Sequence, residues 1–260
     1  MATSSVMTMD VVPGVHRPLS QADLYLSSTT ATSLPRIDAN LKAPDEDRRA
    51  LVRMIVDHNM AGKLAIHLLH SHEPLKPGEV KLENKLETVP GTWMRPVPAA
   101  SLDPSSIHGM AFKIELKGGE NKTLCLIPYE FAKGPSPVAK DDNTVLDCMT
   151  ELANYIIQRG LADVFALQFV ELGGLAAIPT AEIEVGGLGT ITLPQSMQKI
   201  GRLVPVSWPK PADPTAHPDG PGPGEHWNEA TKSDGTKTHK VHVDNAKTEE
   251  GVLESLAKMG

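Results

Sequence analysis

Histidine is the residue type with the most chemistry to offer in this chain. Of the ten, three lie in HLLHSH, at His67, His70 and His72, and three lie late, His226 in GEHW and His239 and His242 in THKVH. Residues two apart on a strand point the same way, so His70 and His72 would present both imidazoles to one side. The strand rise sets them about 6–7 Å apart at the backbone, a span from which two ring nitrogens can grip one ion at ~2 Å. A mononuclear centre needs a further ligand. Glu73 and Glu79 are the nearest carboxylates, and His226, His239 and His242 are the remote candidates. Two histidines with one carboxylate suit iron(II) and leave positions for dioxygen or substrate. Three histidines suit zinc, whose bound water becomes a hydroxide nucleophile near neutral pH. The expectation is a divalent metal, iron or zinc, held by His70 and His72 with Glu79 or a C-terminal histidine, and His67 and Glu79 as candidate catalytic residues.

Two plainer readings stand beside this one. Imidazoles at the end of a half-buried strand commonly donate to backbone carbonyls and cover apolar surface, which makes a non-catalytic binding or scaffold protein. A metal-free enzyme would pair a histidine with a glutamate as acid and base, for example His67 with Glu83.

The segment HLLHSHEPLKPGEVKLE (67–83) resembles the H-x-H…GE segment of a group of uncharacterised proteins of filamentous fungi, whose late segment resembles GEHW…THKVH. That resemblance implies a fungal, cytosolic protein and no particular activity. The segment also partly resembles a cupin first motif, with Gly62 before His70 and His72 and Glu79 after them. Gly62 lies too far upstream for that motif, Glu79 comes late, and no glycine closes Val80–Val89.

The elements that must position these residues are legible from pattern. Pro44-Asp45-Glu46-Asp47 puts carboxylates at a helix N-terminus, Leu51, Val52, Ile55 and Val56 recur at helical spacing, and Gly62 stops the run. Lys63–His72 reads as a strand with Leu64, Ile66, Leu68, His70 and His72 on one face and Ala65, His67, Leu69 and Ser71 on the other. Val80–Val89 reads as a second strand with charges on one side. Ala111–Leu116 and Thr123–Phe131 form a hairpin. Thr144–Arg159 is a helix with an apolar stripe of Leu146, Met149, Leu152, Ala153, Ile156 and Ile157, capped by Asp141-Asp142-Asn143 and closed by Gly160. Ala162–Leu172, Ile183–Val185 and Thr190–Leu193 are further strands.

The fold class is α+β: a mostly antiparallel sheet with one or two long helices packed on it, because strands run together instead of alternating with helices. Residues 1–43 read as an extended or partly disordered arm and 44–208 as the core. Residues 209–224, PKPADPTAHPDGPGPG, read as a linker or surface loop, since proline fixes φ and removes donors. Residues 225–260 fold back on the core, with a β-like run at Lys240–Val243 and a helix-like end at Thr248–Met259. No internal repeat is visible.

Other features carry less. The glycine pairs at 173–174 and 186–187 lack phosphate-loop spacing and read as strand turns. No GxSxG elbow is present. Cys125 and Cys148 read as small core residues and give no disulfide framework. Trp93, Trp208 and Trp227 have Pro or Gly nearby and read as loop residues packed on the body.

Composition bounds the rest. The 260 residues are 40% hydrophobic and carry a net charge of −7, which disfavours a broad nucleic-acid face. The start, MATSSVMTMDVVPG, lacks a secretory pattern, and no run reaches the ~20 apolar residues of a spanning helix. The expected protein is a cytoplasmic enzyme acting on a small molecule, a metal-dependent oxidoreductase or hydrolase, with no nucleic-acid or membrane partner. A homo-oligomer is compatible with this reading; on the scaffold reading the arm and terminal helix serve subunit exchange or partner docking.

Overall fold

The computed structural model describes residues 7–9, 11–35, 43–71, 75–118, 122–170, 180–185, 188–194, 203–208, 226–229 and 251; of 203–206, 208 and 226–229 only the backbone is described. The fold is α+β. Three α-helices, α1 (Gln21–Thr32), α2 (Asp45–Asp57) and α3 (Asn143–Gln158), accompany ten strands among the described residues. These are β1 (Leu64–Leu68), β2 (Glu79–Lys85), β3 (Thr92–Pro98), β4 (Ile107–Lys117), β5 (Thr123–Lys133), β6 (Phe165–Phe169), β7 (Thr180–Glu184), β8 (Thr190–Pro194), β9 (Leu203–Trp208) and β10 (His226–Glu229).

The sheet closes on itself in the order β1-β6-β4-β5-β2-β3-β8-β7-β10-β9, with β9 returning to β1. All pairings are antiparallel except β2 with β5 and β7 with β10. Closure leaves no edge and gives each strand an outward and an inward face.

Outside, the helices cover the apolar face. Leu51, Val52 and Ile55 of α2 and Val145, Cys148, Met149, Leu152, Ala153 and Ile156 of α3 join Leu64, Ile66, Leu68, Phe112, Ile114, Phe165 and Leu167 in one core. Asp47 ties α2 to α3, accepting from Arg159 Nε at 2.8 Å and Tyr155 Oη at 2.9 Å. On another stretch of wall, Leu24 of α1 packs with Val80, Leu82, Ile107 and Phe131.

Helices α1 and α3 start where the sequence supplies side-chain acceptors, whereas α2 starts at Pro44 with no side-chain cap and acidic residues in its first turn. Asp142 accepts from Thr144 N at 3.2 Å ahead of α3, and Gly160 follows its end at φ +69°. Ser20 and Asp23 form a reciprocal capping box for α1.

Several expectations change here. Within the expected arm the described residues hold α1, and Met9, Val12 and Val15 are buried in the main core. QADLYLSSTTAT has no apolar stripe, so helical periodicity cannot reveal it. The strand expected over Lys63–His72 ends at Leu68, before His70. A strand runs through Thr92–Pro98 despite two prolines, and Trp93, Trp208 and Trp227 all lie on strands, not loops. The expected linker at 209–224, the run Lys240–Val243 and the helix at Thr248–Met259, Gly251 apart, lie outside the described residues.

Candidate functional site

Register around the ring identifies what the barrel encloses, because residues paired across strands share a face. Leu64, Ile66 and Leu68 face the helices, so Ala65 and His67 face inward, with Gln168 and Ala166 opposite them on β6. Gln168 pairs with Ala111 on β4. Leu82 and Phe131 face α1, so their neighbours Lys81 and Glu130, which pair directly, face inward. Glu83 pairs with Ala132 on one side and Met94 on the other, and Met94 leads to Thr190. Thr92, Thr192 and Glu182 continue the same face, and Ser207 pairs with His67 to complete it.

One irregularity concentrates polar groups. In the β4–β5 ladder Met110 is an extra residue on β4 and, immediately beyond, Tyr129 is an extra residue on β5. A bulge turns two neighbours to one side. Tyr129 and Glu130 therefore face the same way, and Tyr129 packs with Ala111 and Ala166 of the inner wall and with Leu69 just beyond β1.

At the centre of this wall Lys81 Nζ lies 3.1 Å from Glu130 Oε1, and the two side chains are 5% and 6% exposed. Ala132, Met94 and Met110 cluster around the neighbouring register positions. Taking two such ions out of water costs several kcal/mol each before their mutual attraction is counted. The Tyr129 hydroxyl is wholly buried and has no hydrogen-bond partner among the described residues. Burial, then the charges of Glu130 and Glu182, hold its pKa well above the ordinary phenol value, so it remains a proton donor. Farther round, Thr92 Oγ1 donates to Glu83 Oε2 at 2.9 Å and Ser207 Oγ donates to Gln168 Oε1 at 2.8 Å.

His70, expected on the strand beside His72, is not strand-borne. His70 lies beyond β1, its Nδ1 donating to Leu68 O at 2.6 Å, and its ring stacks on His67 with centroids 4.9 Å apart. Among the described residues the imidazole beside His70 is thus that of His67. Glu79 starts β2 and its carboxylate accepts from Lys76 N at 2.9 Å, closing a turn. His72, Glu73, His239 and His242 lie outside the described residues. The backbone of His226 pairs with Ser207, which pairs in turn with His67, so these three positions form one row across β10, β9 and β1. No group of three or more His, Cys, Asp or Glu that could hold a metal ion occurs among the described residues.

Searches of family profiles, of curated proteins and of solved structures found nothing that matches this chain. No described helix is long and apolar enough to cross a membrane. The residues that sequence reasoning missed are Lys81, Glu130 and Tyr129. The alternating charges of β2 were the available signal.

Proposed function

We propose that the barrel lumen is the active site of a metal-free acid–base enzyme acting on a small molecule, with Lys81 and Glu130 handling its protons. The buried Lys81–Glu130 pair on the inner wall carries the reading. An ion pair removed from water is a weak source of stability but a strong source of directed proton transfer. Tyr129 beside it supplies a donor for an oxygen of the substrate, and Met94, Met110 and Ala132 supply apolar contact. His67 and Glu83 face the same lumen and belong to its polar lining. Ten strands make a barrel wider than the eight whose interior side chains just fill it, and several inner positions carry Ala, Ser or Thr, which favours room for a ligand.

Full-length protein incubated with a metabolite extract tests this reading. A compound should be consumed at a rate that EDTA leaves unchanged and that follows a bell-shaped pH profile. Glu130→Gln should lower the rate by about 10²-fold or more while the protein stays folded. Binding without turnover would instead make the lumen a carrier site.

A metal-dependent reading has one observation in its favour, the row His67–Ser207–His226. On that reading an iron or zinc ion binds at this row, with His67 as one ligand. Close to one metal per chain, with turnover lost on chelation and restored by that metal, would move the function from Lys81 to the histidines.

A further inference from the structure

We infer that Lys81 is a nucleophile that binds its substrate covalently, and that the substrate is a small aldehyde or ketone; this rests on the lumen being the active site. The inference comes from three neighbouring groups. Lys81 offers a primary amine, the side-chain nitrogen able to form an imine with a carbonyl carbon. Glu130, 3.1 Å away, is the base that such an amine needs. Tyr129, the residue next to Glu130, brings a buried hydroxyl with no hydrogen-bond partner among the described residues, the kind of donor a carbonyl oxygen accepts from.

The proton and electron accounting closes within these groups. The Lys81 ammonium gives a proton to Glu130, and the freed nitrogen lone pair attacks the carbonyl carbon as the C=O π pair moves to oxygen. Nitrogen then carries two protons and oxygen a negative charge. One nitrogen proton passes to that oxygen, directly or through Tyr129, to give the neutral carbinolamine. Glu130 returns its proton to the hydroxyl, water leaves, and the nitrogen lone pair forms the C=N bond of a protonated imine. Overall, one ammonium and one carbonyl give one iminium and one water, and Glu130 and Tyr129 end as they began. An iminium carbon is a strong electron sink, so bonds next to the former carbonyl become breakable in the same lumen. The neighbouring apolar cluster of Met94, Met110 and Ala132 suits the hydrocarbon part of a small carbonyl compound.

The test is reductive trapping on the full-length protein. Propanal, acetone and pyruvate are each added with sodium cyanoborohydride, which reduces an iminium to a stable secondary amine, and the adduct is located by peptide mass spectrometry. At least one probe should label Lys81 about tenfold or more faster than exposed lysines such as Lys85 and Lys133, since a positioned amine gains from proximity. Glu130→Gln, which keeps size and a hydrogen bond, should slow that labelling by about 10²-fold, and Tyr129→Phe should slow it less. Labelling spread evenly over exposed lysines, or a Lys81 rate indifferent to Glu130→Gln, overturns the inference. If Lys81 stays unlabelled while EDTA-insensitive turnover persists and Glu130→Gln abolishes it, covalent catalysis falls and the acid–base reading stands. If turnover is also absent, both fall.

Discussion

A lysine and a glutamate, each about nineteen-twentieths buried and 3.1 Å apart, face the inside of a barrel instead of water. Desolvation makes this arrangement costly, and removing one partner is worse than removing both. Lys81→Met alone should therefore destabilise the protein by about 3–5 kcal/mol in urea unfolding. The double variant Lys81→Met/Glu130→Leu should lie within about 1 kcal/mol of the parent or above it, while losing ligand chemistry. A double variant as unstable as the single would make the pair structural. Cys148 behaves oppositely: burial, helped by Glu151, pushes its thiol up to about 12, so it should stay unreactive to thiol reagents at pH 8 until the protein unfolds. At this scale the sequence was half legible. Alternation placed Lys81, Glu83 and Lys85 on one face of a strand, but alternation cannot say whether that face meets water or a lumen. The alternation of Leu64, Ile66 and Leu68 extends to His70 in the sequence, but β1 ends at Leu68, and His72 lies outside the described residues.

Elements with an apolar stripe were readable, and those without one were not. Helix α3 follows its sequence pattern closely, and Leu152 sits fully buried in the core it builds. Leu152→Ala should cost about 2–5 kcal/mol in denaturant unfolding. Helix α1 announces itself only through Ser20 and Asp23. Burial opposes ionisation of Asp23, but hydrogen bonds from Arg17 and Ser20 outweigh it and hold the carboxyl at about 2. Because the folded value lies below the ordinary ~3.9, this contribution is complete above about pH 4 and is lost as pH falls towards 2. Asp23→Asn should thus lower stability at pH 7 and flatten the acid limb of stability against pH between about 4 and 2. An unchanged acid limb would remove Asp23 from that role. Strands β3, β9 and β10 escaped notice because prolines and tryptophans with glycine or proline nearby resemble loops until partner strands supply the ladder.

Closure is a property of the whole molecule, and no local pattern encodes it. The α+β class and the antiparallel bias followed from runs of strands, whereas the ring depends on pairings as distant as β1 with β9. Gly189 shows how tightly one seam is drawn: its φ is +111°, and a Cβ there would collide with the Met94 carbonyl where β8 meets β3. Gly189→Ala should destabilise the protein by about 1–3 kcal/mol and speed amide exchange on β8 ahead of β4, as a strained seam opens first. Within that ring the small-molecule site at Lys81 and Glu130 is the claim on which function turns. Its most direct measurement is native mass spectrometry of protein equilibrated with a metabolite extract, comparing the parent with folded Lys81→Met/Glu130→Leu. A small molecule retained by the parent and absent from the double variant is the predicted result; equal retention by both proteins, or by neither, would contradict a site at this pair.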